Sequence, residues 1–100
     1  MIKKTKYYIC DKAYDCEWIN DQRLVAEKSD SSEVCLGVMI PDENKIKIWD
    51  NGRDDDSFEW LLHEVIHAVS DELNLGLDEN RVGLLGVGIS GFLRRNGLIK

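Results

Sequence analysis

Hydrophobic and polar residues follow two different periods along the chain, one in each half. Before residue 50, apolar positions recur every second residue or form short runs rich in aromatic and β-branched side chains, which predicts strands. After residue 50 they recur at spacings of three and four, which predicts helices. The strand candidates are residues 6–10, 14–19, 34–40 and Lys45–Trp49.

These strand candidates also indicate how the sheet is built. Residues 11–13 form a short connection, so the first two strands should pair as a hairpin, with Tyr14, Cys16 and Trp18 on one face. In Lys45–Trp49 the isoleucines face inward and Lys45, Lys47 and Trp49 outward, which suits an exposed face or an edge strand. The polar segment 21–32 is predicted to be a loop with a helical turn near 23–27, and residues 41–44 a turn. We therefore expect a small antiparallel sheet.

The first predicted helix covers residues 58–73. Asp56 and Glu59 resemble a capping box at its start, and Gly76 suits a left-handed residue after its end. Trp60, His63, Glu64 and His67 lie beside or opposite its apolar stripe. The stripe consists of Phe58, Leu62, Val65, Ile66, Val69 and Leu73.

A second predicted helix begins at Asp78, a favourable N-cap, and runs toward Arg95. Its glycines at positions 83, 86, 88 and 91 disfavour a helix, and close packing of one helix on another explains them best. Its predicted apolar stripe is Val82, Leu85, Ile89, Phe92 and Leu93. The chain is thus expected to be a single α+β domain, residues 1–100, in which a small antiparallel sheet precedes two helices.

Composition and charge restrict the classes of function. The chain has 100 residues and a net charge of −6, which makes nucleic acid an improbable partner because phosphate binding needs a basic patch. It contains neither a signal-peptide pattern nor an apolar run long enough to cross a bilayer, so a cytoplasmic protein without membrane contact is expected. Cys10, Cys16 and Cys35, an odd count, are expected to be reduced thiols, mostly buried.

The motif that carries chemistry is His63-Glu64-Val65-Ile66-His67, an H-E-x-x-H within the first helix. Residues four apart on a helix share one face and lie about 6 Å apart along the axis. His63 and His67 can therefore offer two imidazole nitrogens to one Zn²⁺ ion, at roughly 2.0–2.1 Å each. Glu64 is positioned to take a proton from a metal-activated water, as the general base of a peptide hydrolysis.

A catalytic zinc site needs a third protein ligand, and no third histidine exists. Glu79 in the first turn of the second helix is the preferred candidate, because a short turn folds that helix back beside the first. Asp78 and a water or substrate group remain alternatives. Asp71 is too far along the helix from His63 to share its ion, and is interpreted as a supporting or solvated carboxylate. Tyr7, Tyr8 and Tyr14 are unranked candidates for an oxyanion donor.

The order of these features resembles the small zincin-type proteins of bacteriophages and prophages related to the ImmA/IrrE metallopeptidases. The resemblance rests on residues 60–68 around the H-E-x-x-H and on Leu75-Gly76-Leu77-Asp78-Glu79. It implies a minimal zincin fold, a zinc-dependent hydrolase of peptide bonds in a bacterial or infected host cell, and an acidic third ligand that matches Glu79. It also implies an extended peptide or protein substrate bound along an edge strand, for which Lys45–Trp49 is the candidate.

A function of another class is also compatible with the sequence. The chain could be a non-catalytic protein-binding module of phage origin that retains a structural zinc site, since small domains often need a metal for stability. Glu64 would then be incidental, and removal of the metal would unfold the domain. The number of copies in the assembly is left open.

Overall fold

The computed structural model describes residues 3–21, residue 25 and residues 36–99, with a four-stranded sheet on one side and two long helices on the other. The elements follow the chain as β1 (Lys6–Ile9), β2 (Lys12–Ile19), β3 (Gly37–Ile40), a 3₁₀ turn (Pro41–Glu43), β4 (Lys45–Trp49), α1 (Asp54–Glu72) and α2 (Glu79–Arg95). The α+β class is therefore confirmed. The loop predicted over 21–32, the helical turn near 23–27 and the start of the third strand lie outside the described residues, apart from positions 21 and 25.

The predicted hairpin between the first two strands is confirmed. β1 and β2 pair antiparallel, with Ile9 opposite Lys12. The connection is shorter than the predicted residues 11–13, since β2 already begins at Lys12. The two residues between the strands, Cys10 and Asp11, both have positive φ (51° and 65°), as a two-residue turn with the twist of the flanking strands requires. Tyr14 and Cys16 are buried on the inner face of β2, as their alternation predicts.

The sheet is mixed, so the prediction of an antiparallel sheet is wrong in one respect. The strand order is β1-β2-β4-β3, and β4 runs parallel to β2 and antiparallel to β3. The prediction that Lys45–Trp49 is an edge strand is therefore also wrong. Ile46 and Ile48 are fully buried, and Lys47 on the opposite face is only 7% exposed, as expected for a strand with neighbours on both sides. Among the described residues, β1 and β3 form the edges of the sheet.

Helix α1 begins earlier and ends differently than the sequence predicts. Asp54 is its first residue and Arg53 its N-cap, without a side-chain cap, so the capping box is wrong. The carboxylate of Asp56 instead accepts a hydrogen bond from Asn51 Nδ2 at 3.2 Å. Two residues after the helix are left-handed, Asn74 (φ 55°) and, as predicted, Gly76 (φ 65°). The Leu75 N–H bonds to the Ser70 carbonyl at 2.9 Å and closes the last turn, so Asn74 takes the position directly after the C-cap.

Helix α1 lies between the sheet and α2, so its buried residues do not follow the single apolar stripe that the sequence predicts. It packs on strands β1, β3 and β4 with one side and on α2 with another. Leu61 and Ala68 join the main core with the sheet residues, while Leu73 at the C-cap is 57% exposed. The buried positions of α1 are Ser57, Leu61, Glu64, Ile66, Ala68 and Ser70.

Helix α2 begins at its predicted N-cap and ends near the predicted residue. The carboxylate of Asp78 accepts a hydrogen bond from the Arg81 backbone N–H at 2.8 Å. Val82, Gly86 and Ser90, spaced four residues apart, are the buried positions of the helix. A Cβ at Gly86 would lie 3.9 Å from Ile66 Cδ1, an ordinary van der Waals distance, so Gly86 packs on α1 at a position where an alanine would also fit. Gly83 and Gly86 face α1, but a Cβ at Gly88 or Gly91 would meet nothing within 4 Å, so close packing does not explain those two glycines. Leu85, Ile89 and Phe92 of the predicted stripe lie on the surface.

The two described cysteines differ in burial. Cys16 and Cys10 are free; burial raises the pKa of Cys16 to about 12, whereas Cys10 is exposed, contrary to the expectation of mostly buried thiols. Cys35 lies outside the described residues.

Within the part of the chain that the structure describes, no helix has the length and apolar character needed to cross a membrane.

Candidate metal centre

The two histidines of the motif lie one turn apart on α1, on the side that meets the start of α2. Their ring centroids are 5.0 Å apart, with the ring planes inclined at 64°. Both side chains are about one quarter exposed, so they are accessible without lying free in solvent. Their Nε2 atoms point toward one carboxylate, that of Glu79.

Glu79 approaches the histidines because the connection between the helices is short and internally bonded. The Leu77 N–H donates to the Ser70 hydroxyl at 3.0 Å, and Asp78 then caps α2. Glu79 Oε1 lies 2.6 Å from His63 Nε2, and Glu79 Oε2 lies 2.8 Å from His67 Nε2. The structure thus brings together the three residues that the sequence singled out as ligands.

The alternatives for the third ligand occupy other positions. One carboxylate oxygen of Asp78 is engaged as the helix cap. Asp71 is exposed and lines a separate cavity of about 300 Å³ beside His67, together with Met39 and Leu77. Among the described residues, His63, His67 and Glu79 are the group whose donor atoms all lie within 4.8 Å of one another.

The donor set fits a divalent transition-metal ion. Two imidazole nitrogens and one carboxylate oxygen are a ligand combination found in catalytic zinc sites, which keep a fourth position open. The Glu79 side chain is 74% exposed, so the centre faces solvent. Partial burial raises the pKa of Glu79, but the hydrogen bond and charge of His63 and the charge of His67 outweigh it and hold that pKa below its usual range. The anionic form, which a metal requires, is therefore favoured.

Glu64 lies on the sheet side of α1 and is nearly buried, with 8% of its surface exposed. Burial raises its pKa to about 8, and the negative charge of Glu79 adds to the effect. A cation held by Glu79 and the histidines would act in the opposite direction and favour the carboxylate. Glu64 shares a cavity of about 330 Å³ with His67 and Glu79, so it faces the same space as two of the three candidate ligands.

Gly37, which the sequence analysis did not select, makes room for Glu64. A Cβ at Gly37 would lie 3.2 Å from Glu64 Cγ and 3.1 Å from Ile48 Cδ1, closer than ordinary van der Waals contact. The signal in the sequence was a glycine inside a strand, which often marks a close approach of another group to the backbone. The same cavity is lined by Gly37, Val38, Met39 and Pro41, which places edge strand β3 beside the centre.

The tyrosines considered as oxyanion donors have other partners in two cases. The Tyr14 hydroxyl donates to Glu72 Oε1 at 2.7 Å, and the Tyr7 hydroxyl accepts from the Lys4 N–H at 3.2 Å. Neither tyrosine lines the cavity that holds Glu64.

The chain matches no protein-family model, no curated protein and no solved structure.

Proposed function

We propose that this protein is a zinc-dependent peptidase of the zincin type, related to the ImmA/IrrE metallopeptidases and of phage or prophage origin. The observation that carries the proposal is the convergence of His63, His67 and Glu79 next to a buried glutamate from the same motif. Glu79 comes from a different helix, so helix geometry alone does not explain its position. Both histidines of the motif meet this third donor, which supports a shared ion.

In the proposed reaction, the chain's own groups bind the metal and move a proton. His63, His67 and Glu79 would hold the zinc, which when bound would supply a Lewis acid to polarise the scissile carbonyl and to lower the pKa of water toward about 7. Glu64 accepts the proton of the attacking water at a carboxylate oxygen as the new C–O bond forms. It then donates that proton to the amine nitrogen as the C–N bond breaks. The desolvated position of Glu64 makes its carboxylate more basic than an exposed one.

The edge strand β3 is the proposed docking site for an extended peptide substrate. In the described residues, β3 pairs with β4 on one side only. Its residues Gly37–Met39 line the cavity that also holds Glu64 and Glu79. A peptide that added to this edge by main-chain hydrogen bonds would pass in front of the centre. This assignment replaces Lys45–Trp49, which is an interior strand.

Metal content and hydrolysis test the proposal. Untagged protein should contain about one zinc per chain by elemental mass spectrometry, and His63→Ala should contain none. Glu64→Gln should keep the zinc and lose the hydrolysis of a peptide library that the parent cleaves. Absence of zinc in the parent, even after zinc is added, would overturn the metal assignment, and full activity of Glu64→Gln would overturn the mechanism.

One observation favours the alternative of a binding module with a structural zinc. Helix α2 packs mainly on α1, and the His63, His67 and Glu79 group links these two helices directly. An ion there would act as a cross-link in a small domain, without any need for Glu64. Removal of the metal by a chelator distinguishes the two functions. It should unfold a domain that depends on a structural ion, whereas a peptidase should stay folded and become inactive.

A further inference from the structure

Helix α2 carries an exposed face that takes no part in the metal centre. Residues spaced alternately three and four apart form a single seam along it, with Leu85 and Phe92 in its middle, 43% and 58% exposed. Ile89 lies beside the seam and is 40% exposed. A Cβ at Gly88 would meet nothing within 4 Å. The seam consists of Asp78, Arg81, Leu85, Gly88, Phe92 and Arg95.

The two ends of this seam carry opposite charges. Asp78 lies at the start of the helix, with a side chain that is 63% exposed. One of its oxygens caps the helix, and the other is 4.0 Å from Arg81 Nε, at the limit of ion pairing. Arg95 lies at the last helical position and is exposed. If a second copy of this helix packed antiparallel on this face, Asp78 of each helix would lie opposite Arg95 of the other.

We propose that two copies of this chain associate through the α2 seam, antiparallel about a two-fold axis. Pairing Asp78 with the partner's Arg95 sets the register, and the axis repeats that ion pair. Leu85 then lies opposite the partner's Gly88, where the missing side chain leaves room for it. The Arg81 guanidinium comes opposite the ring of the partner's Phe92, as in a cation–π contact.

The occupant is a second copy because the seam is complementary to itself. A two-fold interface requires that each residue type meet its complement on the same surface, and here acid meets base and leucine meets glycine twice each. A parallel arrangement would instead place Arg95 against Arg95. One helix of this length spans about 25 Å, so the interface is small and the dimer should dissociate on dilution.

Sedimentation equilibrium of the full chain from about 5 µM to about 1 mM tests the association. The mass should rise with concentration from 11.5 kDa toward twice that value. Leu85→Glu should stay monomeric throughout. Val87→Glu is the matched control, because Val87 is 62% exposed on the same helix but outside the seam, and it should associate like the parent. Far-UV circular dichroism checks that each variant is folded.

Arg95→Gln tests the orientation. In the antiparallel dimer it removes two ion pairs and should raise the dissociation constant about 3-fold to 10-fold. Tighter association would mean relief of Arg–Arg repulsion and would overturn the antiparallel arrangement. A parent that is monomeric at every concentration, equal effects of Leu85→Glu and Val87→Glu, or a mass that grows beyond two copies would each overturn the dimer and leave this face to a different partner.

Discussion

Replacement of Glu79 by glutamine should weaken zinc binding strongly, whereas replacement of Asp78 by asparagine should not. Glu79 offers an oxygen to each histidine Nε2, at 2.6 and 2.8 Å. Asp78 caps α2, and asparagine caps a helix about as well as aspartate. The two variants change neighbouring carboxylates to amides of the same size, so each controls for the other.

The expected loss of zinc affinity follows from the charge of Glu79, and the expected change in stability follows from that affinity. Even at the dielectric constant of water, a carboxylate charge about 2.1 Å from a divalent ion stabilises the bound ion by about 4 kcal/mol. A water molecule that takes the place of the carboxylate restores part of this energy. A loss of about 100-fold in affinity for Glu79→Gln is therefore expected. Zinc at 100 times the parent's Kd stabilises the parent by about 2.7 kcal/mol, or roughly 10–20 °C in a domain of this size. The same concentration should stabilise Glu79→Gln by only about 0.4 kcal/mol.

Thermal unfolding followed by circular dichroism at increasing zinc, with calorimetric titration of the affinity, measures both variants. Equal stabilisation of Glu79→Gln and the parent would refute Glu79 as the third ligand. Loss of the zinc effect in Asp78→Asn alone would transfer that role to Asp78. No zinc effect on the parent would refute the site.

Two further variants test the packing of α1 on the sheet. Tyr14→Phe should lower the midpoint of thermal unfolding by a few degrees near pH 7, because it removes the hydrogen bond to Glu72. That bond, with Lys12, lowers the pKa of Glu72, and burial together with Glu72 raises that of Tyr14 to about 12. The difference from the parent should therefore shrink as the pH falls below about 4 and again as it rises above about 10; a difference independent of pH would contradict the assignment. Gly37→Ala should destabilise the fold by about 1 kcal/mol in urea unfolding and reduce hydrolysis with zinc retained, because its Cβ crowds the Glu64 side chain. Gly91→Ala, which meets nothing within 4 Å, should be neutral or stabilising, and equal destabilisation by both alanines would show that crowding is not the cause.

Local features of the fold could be predicted from the sequence because they depend on neighbours in the chain. The hairpin needs only a two-residue turn at Cys10 and Asp11, and the cap at Asp78 only the next turn of helix. The relation of His63 to His67 follows from helical spacing alone. These predictions are confirmed in the structure.

The predictions that failed depend on contacts between distant segments. The alternation in Lys45–Trp49 is the same for an edge strand and for an interior strand, and only the insertion of β4 between β2 and β3 decides between them. The apolar stripe of α2 looks like a core face, yet the helix packs through Val82, Gly86 and Ser90, which lie four residues apart on a different face.

For the candidate metal centre, local sequence patterns predict two histidines on one helical face and an acidic residue at the start of the next helix. The folded arrangement was needed to see that Glu79 reaches both imidazoles, that Glu64 is buried against Gly37, and that β3 is the strand beside them. The two kinds of feature differ in how far apart in the chain the contacting residues lie. Backbone geometry fixes residues four apart, whereas the approach of two helices and a strand is set by close packing between side chains that are far apart in the chain.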